Sequence, residues 1–197
     1  MSRAAVAELR AQIGLPIDPA RRGPVPLDRF FPEVAVSHVA LPGLTLGGVV
    51  AHLRAYGHTV EDLGDPKTKL AGFLFAAGRA AVAFVDAADI LGRRRFTAAH
   101  ELGHAVLHRG KMGRYVIDPD IAEGDDGASE LEREANRFAA ELLMPEEVVR
   151  ARAEELKRDL KVPVCPRGVL EYRLAAELLV SAQAVRFRLG ALGVGDD

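Results

Sequence analysis

Apolar residues recur along this chain in two rhythms. Between positions 70 and 86 they form two short blocks, Leu70-Ala71-Gly72-Phe73-Leu74-Phe75 and Ala81-Val82-Ala83-Phe84-Val85-Asp86, around Ala77-Gly78-Arg79. Two such blocks about a glycine turn predict a β-hairpin. Elsewhere the spacing is helical. Residues 3–13 predict a short helix ended by Gly14 and Pro16, and residues 47–56 a second one stopped at Gly57. A third helix is expected over about residues 97–108 with Thr97 as its N-cap, and a long fourth over residues 129–143, ending before Met144-Pro145. Further helices cover residues 146–161 and 167–192. Residues 34–39 form a candidate strand within a Pro- and Gly-rich stretch. Residues 109–127 read as a polar loop carrying Asp118, Asp120, Glu123, Asp125 and Asp126.

The pattern is that of an α+β protein, a small sheet or hairpin packed on helices. It divides into three parts. Residues 1–45 are a Pro/Gly-rich extension with a short helix, residues 46–145 hold the hairpin and the two central helices, and residues 146–197 are helical and helix-turn-helix-like.

Composition narrows the field. A chain of 197 residues, 49% hydrophobic and 27% charged, can bury a sizeable core. Its net charge of -2 provides no basic field for nucleic acid. The one cysteine, Cys165, excludes an internal disulfide and a cysteine-based metal site. The N-terminal residues lack the apolar core of a signal peptide, and no apolar run approaches the length of a membrane span. The expectation is a cytoplasmic protein without a membrane partner.

The chemistry is concentrated in His100-Glu101-Leu102-Gly103-His104. On a helix His100 and His104 stand one turn apart on one face, where two imidazoles can grip a single metal ion with Glu101 beside them as general base. Such a site needs a third protein ligand and one open position. The helix over 129–143 offers carboxylates. Its apolar stripe is Leu131, Ala135, Phe138, Ala139, Leu142 and Leu143; Glu132 falls on the edge of that stripe, and Glu134 falls beside Arg137 and Glu141 on the expected wet face. Glu132 is therefore the expected third ligand and Glu134 the alternative. Ser129-x-x-Glu132 also fits a capping box, in which Glu132 serves only the helix terminus. Asn136, one turn beyond Glu132, is placed to hydrogen-bond a ligand histidine. His108 and Tyr115 are candidates for stabilising an oxyanion or, for His108, supporting the site. His38, His52 and His58 have no motif context. Zn²⁺ is the expected metal, with Mn²⁺ also suited to His₂Glu ligation.

Taken together, Arg95-Phe96-Thr97-x-Ala99-His100-Glu101-Leu102-Gly103-His104-x-x-Leu107-His108 and Glu132-x-x-Ala135-Asn136-x-Phe138-Ala139-Ala140-Glu141-Leu142-Leu143-Met144-Pro145 resemble the ImmA/IrrE family of metallopeptidases. Leu179-Val180-Ser181-x-x-Ala184-Val185-x-x-Arg188-Leu189 extends the resemblance, which covers roughly residues 45–193. It implies a zincin-like α+β fold, zinc on His100, His104 and Glu132, and Glu101 as base. It also implies a protein substrate, an XRE-type helix-turn-helix repressor, and a role in stress response and transcription regulation. Residues 1–45 match no part of that pattern.

Two other functions compete. The segment Glu177–Leu189, with Arg186 and Arg188, resembles a helix-turn-helix and would make the protein a DNA-binding regulator. The few basic residues and the acidic balance argue against direct nucleic-acid binding. A non-proteolytic binding module, such as one half of a toxin–antitoxin pair, would keep the fold without needing Glu101.

Overall fold

The alternating residues of the hairpin divide the molecule into two cores. In the computed structural model, which describes residues 2–61, 63–110, 113–118 and 129–195, the elements run α1 (Ser2–Gln12), β1 (Val36–Leu41), α2 (Leu46–Ala55), β2 (Gly72–Ala77), β3 (Ala80–Asp86), α3 (Leu91–Leu107), β4 (Tyr115–Asp118), α4 (Glu130–Leu143), α5 (Glu146–Leu160), α6 (Arg167–Leu178) and α7 (Ala182–Leu192). Single 3-10 turns lie at Leu27–Arg29 and Pro32–Val34. The sheet order is β1-β3-β2-β4, with β1 parallel to β3 and both pairings of β2 antiparallel.

Successive strand residues point to opposite faces. Phe73, Phe75 and Phe84 therefore pack with Leu46, Val49 and Leu53 around α2, while Leu74, Ala83 and Val85 face Ala98, Ala99 and Leu102 of α3. Each of the three buried phenylalanines contributes roughly 2–3 kcal/mol by leaving water. The core on the α3 side is continuous from Val6 and Leu9 of α1 through Phe138 and Leu142 of α4 to Leu170 and Val185 of the last two helices. Arg152, fully buried on α5, ties the segment after α1 to α6: its guanidinium bonds Glu177 at 2.8 Å and the carbonyls of Pro19 and Arg21 at 2.9 and 2.7 Å.

The structure is α+β, as the periodicities require, with three differences from the expected elements. Helix α3 starts at Leu91, and Thr97 is a buried residue within it rather than its N-cap. The arginines before Thr97 are good helix formers, and their charges find partners off the helix. Arg94 donates to the Ala87 carbonyl, and Arg95 to the carbonyls of Leu179 and Val25. Strand β4 lies where a polar loop was expected; its Tyr-Val-Ile start is a β-type run too short to stand out. The acidic cluster of that loop beyond Asp118 lies outside the described residues. Finally, β1 is displaced two residues from the expected strand, because Phe31, Pro32 and Val34 are used in the preceding 3-10 turn.

The turn joining α6 to α7 is docked on α3. A β-carbon at Gly92 would stand 2.7 Å from the backbone of Val180 and Ser181, so only glycine permits this approach. Among the described residues no helix is long and apolar enough to cross a membrane.

Candidate active site

Helices α3 and α4 cross at Gly103. A β-carbon there would meet Phe138 Cδ1 at 3.1 Å and the Ala135 backbone at 3.3 Å, so the missing side chain sets how closely the helices pack. That closeness brings the helix start of α4 against the two histidines of α3.

His100 and His104, one turn apart and buried, point their Nε2 atoms toward one another at 2.9 Å. Glu132 closes the third side, its Oε2 at 3.1 Å from His100 Nε2 and its Oε1 at 3.3 Å from His104 Nε2. The three potential ligand atoms lie within 4.8 Å of one another. Burial alone would raise the Glu132 carboxyl; the hydrogen bonds and charge of His100 and His104 outweigh it and hold the group well below the ordinary carboxylate range. Ser129 does cap α4, its hydroxyl accepting from the Glu132 amide at 3.3 Å. The Glu132 carboxylate, however, is spent on the histidines. Two imidazole nitrogens and a carboxylate facing a common point are the donor set of a catalytic zinc site, and the residues present fit such an ion.

Behind this group, Asn136 Oδ1 lies 2.9 Å from His100 Nδ1. An amide oxygen can only accept, so His100 Nδ1 donates, and Nε2 is the nitrogen turned toward the position a cation would take. His108, the C-cap residue of α3, is buried, with Nδ1 at 3.1 Å from His104 Nδ1 and Nε2 at 3.0 Å from Glu134 Oε2. Glu134, the alternative third ligand, is thus not in the group that faces the cation position: it is turned to His108. The wet face expected of α4 is correspondingly narrower. Arg137 is exposed, whereas Glu141 is buried in an ion pair with Arg188 of α7.

Glu101 is fully buried beside His100, beneath the first residue of β2. A β-carbon on Gly72 would stand 2.0 Å from Glu101 Oε1 and 3.0 Å from Thr97 Cγ2. Sequence reasoning missed Gly72. The signal was present as a glycine inside an apolar strand, a common mark of close approach by another group.

Neither oxyanion candidate is among the three residues that converge on the cation position. The Tyr115 ring stacks on Phe73, centroids 6.2 Å apart, on the α2 face of the sheet, whereas α3 lies against the other face. Both ring nitrogens of His108 are engaged with His104 and Glu134. The remaining histidines stay outside the site: His38 stacks on Phe31, His52 on Tyr56, and His58 meets the edge of Phe75.

A small mixed sheet over a helix that carries two histidines and a buried glutamate, faced by a carboxylate-bearing helix, defines an α+β domain with a candidate metal centre. The sequence model of a peptidase family, described as the IrrE N-terminal-like domain, matches residues 54–190, and the chain belongs to that family. No curated protein matches the chain.

Proposed function

We propose that the protein is a cytoplasmic metal-dependent endopeptidase that cleaves a helix-turn-helix repressor of the XRE type. The observation that carries the catalytic part is the convergence within 4.8 Å of His100 and His104 of α3 with Glu132 of α4, next to the buried Glu101. Membership of a peptidase family supports the reaction class. The substrate class, and with it a role in stress response and transcription regulation, is supported by the resemblance of the two long motifs.

His100, His104 and Glu132 would hold the ion; Zn²⁺ is the ion of choice, and Mn²⁺ suits the same donors. When bound, the cation supplies Lewis-acid polarisation of a carbonyl and acidification of water. Asn136 keeps the His100 ring oriented with its lone pair inward. Glu101 takes the proton of the attacking water and delivers it to the departing amine. Its burial under Gly72 limits the positions its carboxylate can adopt, so the base is held for transfer rather than free to swing.

Internal pairing of its arginines weighs against the DNA-binding alternative. Arg186 is tied to Glu171 and Arg188 to Glu141 and the Met144 carbonyl, and the interhelical turn rests on α3.

The test compares new protein N-termini in host cells expressing the wild type or Glu101→Gln. One or two cuts dependent on Glu101 and located in a helix-turn-helix repressor are expected. Many scattered cuts would replace this function with a general peptidase. With stress applied and the metal site filled, the absence of any Glu101-dependent cut would leave the non-proteolytic binding module as the better account.

A further inference from the structure

A line of three side chains runs from α4 back to one cation donor. Glu134 Oε2 is 3.0 Å from His108 Nε2, and His108 Nδ1 is 3.1 Å from His104 Nδ1. Both rings are buried, and the Glu134 side chain is only 16% exposed. The chemistry of each contact constrains the next. An ionised carboxylate has only acceptors, so His108 must present Nε2–H to Glu134. A neutral imidazole protonated there has a bare Nδ1, which can only accept. His104 therefore donates its Nδ1–H to His108, and a cation replacing the Nε2 proton that Glu132 accepts would meet the lone pair of Nε2. That atom is the one lying 3.3 Å from Glu132 and 2.9 Å from His100 Nε2.

We propose that Glu134 and His108 are positioning residues that lock His104 into the tautomer a cation requires. This rests on the reading that His100, His104 and Glu132 hold the ion. The two histidine ligands are then set from behind by different means. His100 is held by the neutral amide of Asn136. His104 is held by a carboxylate acting through an intervening ring, which orients it and raises its basicity. Sequence spacing alone had put Glu134 on the wet side of α4 and left His108 without a settled role; the crossing of the two helices gives them this joint one.

The competing account is that the Glu134–His108 pair merely fastens the end of α3 to α4. Two readouts separate the accounts in the full-length protein. Long-range ¹H–¹⁵N spectra of the zinc-loaded, ¹⁵N-histidine-labelled wild type should show His108 as Nε2–H with a bare Nδ1, and His104 with its proton on Nδ1. Zinc affinity, measured by competition with a chromophoric chelator, should fall about 10–100-fold in Glu134→Leu. It should stay near the wild-type value in Glu134→Gln, whose amide oxygen still accepts from His108. His108 found with its proton on Nδ1, or a folded Glu134→Leu that binds zinc as tightly as the wild type, overturns the lock and leaves a structural fastening. Should Glu134→Leu fail to fold, His108→Leu removes the acceptor at His104 directly and carries the same expectation, and the wild-type spectra decide without any variant. A wild type that takes up no zinc overturns the metal reading itself, and the lock with it.

Discussion

Glu101 Oε1 occupies the space that a side chain at Gly72 would need: a β-carbon there would lie 2.0 Å away. The strand and the helix are thus complementary at one atom, and the absent side chain on β2 gives the Glu101 carboxylate its place. Any larger residue at position 72 must move the carboxylate, which is the flexible partner of the two.

Gly72→Ala should therefore leave the fold and the metal donors intact while displacing the base. A misplacement of about 1 Å costs on the order of 10²-fold in rate, and a loss of that size is expected in kcat/KM for the proposed peptide-bond cleavage. Zinc affinity measured on the same preparation should be unchanged. Full activity in Gly72→Ala would show that Glu101 works from another position than the one it holds here.

Gly103→Ala attacks the same site from the packing side. The new methyl would press on Phe138 and on the Ala135 backbone at 3.1 and 3.3 Å. Overpacking costs about 1–3 kcal/mol, and alanine's better helix propensity returns at most about 1 kcal/mol, so the balance is destabilising. Because the separation of α3 and α4 also sets how near Glu132 comes to the histidines, zinc affinity should fall together with stability. Urea unfolding and chelator competition measure the two; a variant with unaltered zinc affinity would uncouple the helix crossing from the site.

Zinc should stabilise the fold by linkage, since its donors come from two helices that unfolding separates. At free zinc about 1,000-fold above Kd the gain is about 4 kcal/mol. For a chain of this size that raises Tm by about 10 °C, and a chelator should abolish the rise. Glu101→Gln should retain it, because Glu101 is not among the donors, and His104→Ala should lose it. Calorimetric scans with and without chelator check all three proteins. An undiminished shift in His104→Ala would put the ion elsewhere.

Much of the site was legible beforehand because its logic is local. The spacing of His100 and His104 fixes their common helix face wherever the helix lies. The stripe from Ala135 to Leu143 fixes which side of α4 is buried, and so favours Glu132 as the residue that reaches a neighbouring helix. The misread boundaries arose where distant contacts overrode local signals. Thr97 has the chemistry of a cap, yet the guanidinium of Arg95, satisfied by carbonyls at Val25 and Leu179, carries the helix back to Leu91. Strand β4 exists because β2 offers it an edge to pair with.

The sequence by itself determined the paired histidines His100 and His104, the glutamate beside them and the helix faces that carry them, because residue type and helical period are properties of the chain. Only the tertiary structure decided the rest. That Gly72 lies over Glu101, that Tyr115 faces the opposite side of the sheet, and that Glu134 joins His108 instead of the cation donors depend on how closely α3, α4 and β2 approach. That approach is set by packing volumes contributed from across the chain, from Gly103 and Phe138 to the strand pairing of β2, and no local pattern encodes a distance between two elements.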